Sequence, residues 1–171
     1  MIKYKKKIKT NEVDFKERVV SVNRVTKVVK GGRNFSFSSI IVIGNKKGII
    51  GYGLGKANEV TNSILKGVED AKKNKIKVPV LKGTIPHDVI GRFKGATVLL
   101  KPAGPGTGII AGGGVRFIME VLGVNNILSK SRGSSNLHNV VKSAFIALSQ
   151  IRDPLTIAIH RGISIFKVFK G

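Results

Sequence analysis

The side chains best placed to act on a partner are four cations in ten residues. Arg24, Lys27, Lys30 and Arg33 lie within RVTKVVKGGR (24–33), with no acid among them. Guanidinium forks suit phosphate oxygens and guanine edges, while ammonium groups act as point charges. Gly31 and Gly32 carry no Cβ, so the backbone there can approach a partner closely. The pattern indicates a loop that neutralises phosphates. A solvated hairpin loop is the plainer alternative, but an uncompensated cluster on so basic a chain has few other uses.

Motifs for nucleotide chemistry fail on their own terms. GYGLGK (51–56) resembles part of a phosphate-binding loop, which needs a glycine five residues before the Gly55-Lys56 pair and Ser or Thr after it. Those positions hold Ile50 and Ala57. Gly106, Gly108 and Ala111 fit the dinucleotide spacing G-x-G-x-x-A, but the ribose-binding acid is missing, since Glu120 falls in mid-helix. A tight turn before a helix is the plain reading, and phosphate contact at that helix N-terminus an intermediate one. His87, His138 and His160 are far apart, and Asp88, Glu120 and Asp153 are the only acids after residue 75. His87 and Asp88 adjoin on an expected strand and so point to opposite faces. No carboxylate pair, catalytic triad or metal cluster emerges, and no cofactor is expected.

Charge carries more. The 171 residues hold 31 Lys+Arg against 9 Asp+Glu, a net +22. Solubility needs only ~2–8 charges, and self-repulsion at this level favours a polyanionic partner. The excess is spread evenly, +12 over residues 1–75 and +10 over 76–171. Both halves should therefore face the polyanion. No apolar run approaches the ~18 residues that span a bilayer, and no basic amphipathic helix points to a membrane surface. Cysteine is absent, which fits a reducing compartment.

The elements expected to carry these groups are α+β, strands and then a helix, twice. Residues 1–17 form a lysine-rich arm, with Lys3, Lys5, Lys6, Lys7 and Lys9, expected to be disordered alone and to contact RNA. Val20 and Val22 alternate as in a half-buried strand. FSFSSIIVIG (35–44) gives a second strand, on which Phe35 and Phe37 share a face that could stack bases but suits core packing better, and IIGYGLG (49–55) gives a third. A stripe of Ala57, Val60, Ile64, Val68 and Ala71 predicts a helix over 57–73. Residues 74–84 read as a linker. Strands are expected at 84–91, 96–101 and 124–130, with a glycine-dense loop over 102–114. Val115, Ile118, Met119 and Leu122 mark one helix, and Leu137 to Ile151 another that Asp153-Pro154 ends. Residues 156–171 favour strand by composition. The expected units are thus 18–80 and 81–155, with 156–171 as an extension.

Three stretches then look familiar. VNRVTKVVKGGRNFSFSSIIVIG (22–44), GYGLGKANEV (51–60) and GTGIIAGGGVRFIMEVLGVNNILSKSRGSSN (106–136) resemble bacterial-type small-subunit ribosomal protein S-five, in order from about residue 18 to about 165. The resemblance implies a first unit like a double-stranded-RNA-binding domain, three strands plus a helix. It implies a second unit that is an α/β sandwich with a left-handed β-α-β crossover, and a helical C-terminus. It implies a non-enzymatic constituent of the cytoplasmic ribosome that binds small-subunit rRNA. Its neighbours would be ribosomal proteins S-four and S-eight, and it would help line the channel through which mRNA enters and maintain accuracy. The expected rRNA contacts are Arg24, Val25, Thr26, Lys27, Lys30, Gly31, Gly32, Arg33 and Lys56, with the loop at Val25, Thr26, Lys27 and Gly32 near the family's spectinomycin site. Gly108 and Arg116 match its S-four interface, where changes affect fidelity. A free RNA-binding protein or RNA chaperone is the alternative, and a phosphate-handling enzyme built on the 102–114 loop a third.

Overall fold

The structure, a computed structural model, describes residues 15–170, so most of the lysine-rich arm lies outside the described residues. β1 (Lys16–Val29) and β2 (Gly32–Gly44) pair antiparallel over their full length. β3 (Ile49–Ala57) pairs with β2 and is followed by α1 (Val60–Lys73). A fourth strand, β4 (Lys75–Lys77), adds to β3 where a linker was expected, giving a sheet ordered β1-β2-β3-β4 rather than one of three strands. Three residues are too few to show a period-two pattern, so only the pairing reveals it.

A larger correction concerns residues 24–33. They are not a loop. Arg24 to Val29 continue β1, Val29 faces Gly32, and only Lys30 and Gly31 form the turn. Val25, Thr26, Val28 and Val29 are β-branched and favour this extended state. The charges that read as loop are side chains of a ribbon.

The second sheet is β5 (Val89–Phe93), β6 (Ala96–Pro102), β7 (Ile109–Ile110) and β8 (Ile127–Gly133), ordered β5-β6-β8-β7. β7 and β8 run parallel across α2 (Gly113–Leu122), and the other pairs are antiparallel. α3 (Leu137–Gln150) starts at Asn136, whose Oδ1 accepts from His138 N at 3.0 Å. The tail is helical, contrary to its composition: α4 (Pro154–Arg161) and α5 (Ile165–Lys170). Asp153 caps α4 instead of ending α3, accepting from Leu155 N, and Pro154 takes the first turn, where its missing N–H costs nothing. His87 and Asp88 lie before β5, and His87 Nε2 accepts from Arg152 N at 3.1 Å.

Both faces of the first sheet are covered near its base. Ile41 and Ile43 meet Val68 and Ala71 of α1. Ile40, Val42 and Ile50 point the other way, into a larger core with Val98 and Leu100 of β6, Ile118 and Leu122 of α2, and Ala144 and Leu148 of α3. Tyr52 joins that core, its ring 4.6 Å from Phe145. Burial raises the Tyr52 pKa, with the charge of Asp70 adding to it. A bulge between Val19 and Ser21 alters the face that Val20 would share with Val22. Val20 packs on the larger core, whereas Val22 pairs with Ser39 on the α1 side.

The GYGLG run has a packing role. A Cβ on Gly51, Gly53 or Gly55 would collide with backbone of Ala71, Gly67 or Ser63 respectively. Glycine at alternate positions of β3 lets α1 lie directly on the strand, and Ser39 Oγ donates to Ser63 O at 2.9 Å across this contact. Gly91 of β5 does the same for α3, with Ala147 N 2.6 Å from where its Cβ would stand.

Candidate nucleic-acid interface

The β2–β3 pairing begins at Phe37 and Ala57, so β1 and β2 extend past the sheet as a two-stranded ribbon from about Arg24 to Ser36. A two-stranded ribbon is marginal in water without support. Alternation distributes its groups. Cross-strand partners share a face, which puts Arg24, Thr26, Val28, Arg33, Phe35 and Phe37 on the α1 side. Val25, Lys27, Asn34 and Ser36 take the other side, joined by Lys56 of β3 through its partner Ser38. Lys30 and Gly31 form the tip. Cations therefore project from both faces and the end, and Val28 stands 75% exposed among them. Among the described residues a single ion pair joins two side chains, Arg116 with Glu120, so no ion pair among them answers the ribbon's charge.

Phe35 departs from its expected core role. It is 48% exposed, and the Arg24 guanidinium lies over its ring, 3.8 Å from the centroid. Phe37 is half-buried. Where the ribbon meets the start of α1, an open groove of about 790 Å³ is lined by Lys27, Phe35, Lys56, Asn58, Glu59, Asn62, Lys66 and Glu69, among others. Asn62 and Lys66 carried no motif in the sequence, and Asn58 lay in the 51–60 stretch with no role attached; only folding brings them to the ribbon.

Gly108 and Arg116 sit in the second unit, Gly108 just before β7 and Arg116 on α2. Gly108 immediately precedes β7, with φ +74 and open space around it, a backbone shape that suits glycine. Asn126 clasps this loop, its Oδ1 accepting from Gly106 N and Gly108 N, each at 3.1 Å. Both N–H groups are thus occupied within the fold, and β7 interrupts the G-x-G-x-x-A run before α2 begins. No acid follows on β8 either. The nucleotide reading of this loop therefore lapses. Arg116 projects from the first turn of α2, 58% exposed, 3.2 Å from Glu120. Among the described residues no three His, Cys, Asp or Glu stand close enough to hold a metal, and no helix is long and apolar enough to cross a membrane.

Comparison with known proteins follows the same division. Residues 15–79 match the family described as ribosomal protein S5, N-terminal domain, and residues 91–161 match ribosomal protein S5, C-terminal domain. The small ribosomal subunit protein uS5 of Bacteroides thetaiotaomicron is 59% identical over 162 residues, 95% of this chain and 94% of that protein. That of Porphyromonas gingivalis is 55% identical over 170 residues, 99% of each chain. That of Salinibacter ruber is 57% identical over 155 residues, 91% of this chain and 89% of that protein. Both domain descriptions and near end-to-end identity agree: the chain belongs to the ribosomal protein S5 family.

Proposed function

We propose that the chain is a structural constituent of the small ribosomal subunit, located in the cytoplasmic ribosome, where it binds small-subunit rRNA and does no catalysis. Near end-to-end identity with proteins named as small-subunit uS5 carries this reading. The mechanism is binding and positioning. Lys and Arg of the ribbon displace counterions from rRNA phosphates, and folded RNA shape governs recognition more than base sequence does. Arg24, Val25, Thr26, Lys27, Lys30, Gly31, Gly32, Arg33 and Lys56 form the rRNA-contacting set.

Finer features rest on family likeness. Residues 18–80 act as a double-stranded-RNA-binding-domain-like unit and 81–155 as an α/β sandwich with a left-handed crossover. S-four and S-eight are the protein neighbours, with Gly108 and Arg116 at the S-four contact, and mRNA passes nearby. Exposed Leu155, Ile159, Phe166 and Phe169 on the C-terminal helices suit a chain with protein neighbours.

Gradient sedimentation of the tagged full-length chain with small subunits tests the reading. The wild type should travel with them, and Lys27, Lys30 and Arg33 changed together to Gln should travel poorly. Each lost phosphate contact removes roughly 0.7–0.9 from the log–log salt slope, so the triple variant should lose about 2–3. Normal incorporation with an unchanged slope would remove the ribbon as an RNA anchor. Wild-type chain found away from ribosomes would favour a free RNA-binding protein or RNA chaperone.

A further inference from the structure

We propose that the groove between the ribbon and α1 holds one unpaired nucleotide of the RNA, with its base stacked on Phe35. The inference rests on the RNA-binding reading above and adds what kind of RNA element this surface takes.

The ring comes first. Arg24 covers one side of Phe35 at 3.8 Å and is not among the groups lining the groove, whereas Phe35 is. The ring therefore presents to the groove a surface that the guanidinium leaves open. A cation over the other side holds the ring in place. An exposed, braced aromatic ring on a cationic ribbon is a platform on which a base can stack, whatever its identity.

The lining then separates this groove from a phosphate track. Four cations and no acid mark the ribbon, but the groove mixes Lys27, Lys56 and Lys66 with Glu59 and Glu69. Carboxylates repel a run of phosphates but accept hydrogen bonds from base amino groups. Asn62 Nδ2 donates to Glu59 Oε2 at 2.8 Å, which fixes that amide and leaves its Oδ1 facing other partners. Amides and carboxylates are the groups that pair with base edges, and the three lysines can meet the single phosphate on either side of the base. At about 790 Å³ the groove is in the size range of small-ligand sites. In an RNA helix each base face is stacked on its neighbours and the major-groove edges lie too deep for side chains, so the occupant is a bulged or loop nucleotide and not a duplex.

Ultraviolet crosslinking of small subunits that contain the full chain, with mapping of the joined peptide and nucleotide, tests this. A peptide containing Phe35 should join one unpaired nucleotide. In binding to small-subunit particles assembled without the protein, Phe35→Leu should weaken affinity about 5–150-fold, the worth of one stacked base. Its salt slope should match wild type, unlike the lysine variants, and Phe35→Tyr should restore binding. Asn62→Ala, on exposed helix surface, should weaken binding about 2–10-fold and guards against misfolding of the ribbon variant. Wild-type incorporation with no crosslink near Phe35 and full-strength binding by Phe35→Leu and Asn62→Ala would overturn the proposal and leave rRNA binding intact. A groove peptide joined to a neighbouring protein would also overturn it. Failure of the wild type to join subunits at all would instead sink the reading beneath it.

Discussion

Gly55→Ala tests whether the glycines of β3 set the distance to α1. A Cβ there would lie 2.7 Å from Gly67 N and 2.8 Å from Ser63 C, against 3.4–4 Å for ordinary contact, and would overlap Ser63 O. All these neighbours are helix backbone, which cannot rotate away as a side chain can. To clear Ser63 O the helix must retreat by well over an ångström. Overpacking of this kind costs ~1–3 kcal/mol. Retreat also pulls Ser63 O from Ser39 Oγ, now 2.9 Å away and fully buried, and an unsatisfied buried hydroxyl adds ~1–3 kcal/mol. A total of ~2–6 kcal/mol lowers Tm by roughly 5–20 °C for a chain of this size. Thermal melts followed by circular dichroism at moderate salt provide the readout. Gly31→Ala is the control, since nothing lies within 4 Å of its Cβ and its φ is not in the left-handed region. A Gly55→Ala melt within a degree of wild type would refute the close-approach account of GYGLG.

Two further outcomes follow from other sites. Gly108→Ala places a side chain at φ +74, costing ~1–2 kcal/mol in a surface loop, and Arg116→Ala loses an exposed pair worth only tenths of a kcal/mol. Both should leave subunit abundance near normal and change missense or readthrough reporters, and unchanged reporters would count against a fidelity role. His138 has its pKa lowered, by burial first and then by Lys142. The unfolded chain therefore binds more protons than the folded one between the depressed value and ~6.5, so stability is full above ~6.5 and falls as pH drops through that window. His138→Gln should flatten the acid limb of a Tm-against-pH curve; an identical limb would assign the acid sensitivity elsewhere.

Element types were legible wherever a periodic stripe was long, as in Leu137 to Ile151, which became α3. Boundaries and short partners were not. Cations in 24–33 masked β-branched residues that continue β1, because composition weighs charge as loop while a ribbon seats charge on both faces. β4 exists only through its pairing with Ile49, Ile50 and Gly51 of β3. Sequence composition turned the tail toward strand, but Asp153-Pro154 is a helix start, and that local signal prevailed. The cation cluster itself was visible from residue types alone. Its extension into a groove was not, since Asn58, Asn62 and Lys66 share that groove with Phe35 only because β3 and α1 fold back beside β2. Asn126 is similar: 18 and 20 residues separate it from the two amides it holds.

The ribbon and the Gly108 loop stand on different sheets, yet the joint between their units is made of backbone. Lys46 N donates to Val121 O at 2.9 Å and Gly48 N to Leu122 O at 3.2 Å, so the β2–β3 turn satisfies carbonyls at the end of α2 that no helical N–H can reach. Gly44 and Gly123 allow the contact, since a Cβ on either would strike the opposing backbone of Val121 or Lys46. A joint of this kind has no side chain to swing, and one core spans it, with Ile40 and Val42 against α2. A rotation of one unit would break hydrogen bonds and open that core together. The base of the ribbon and the helix bearing Arg116 therefore hold a set relation, while the ribbon's tip has few internal contacts to hold it. If RNA binds the ribbon as proposed, it also sets the orientation of the second unit.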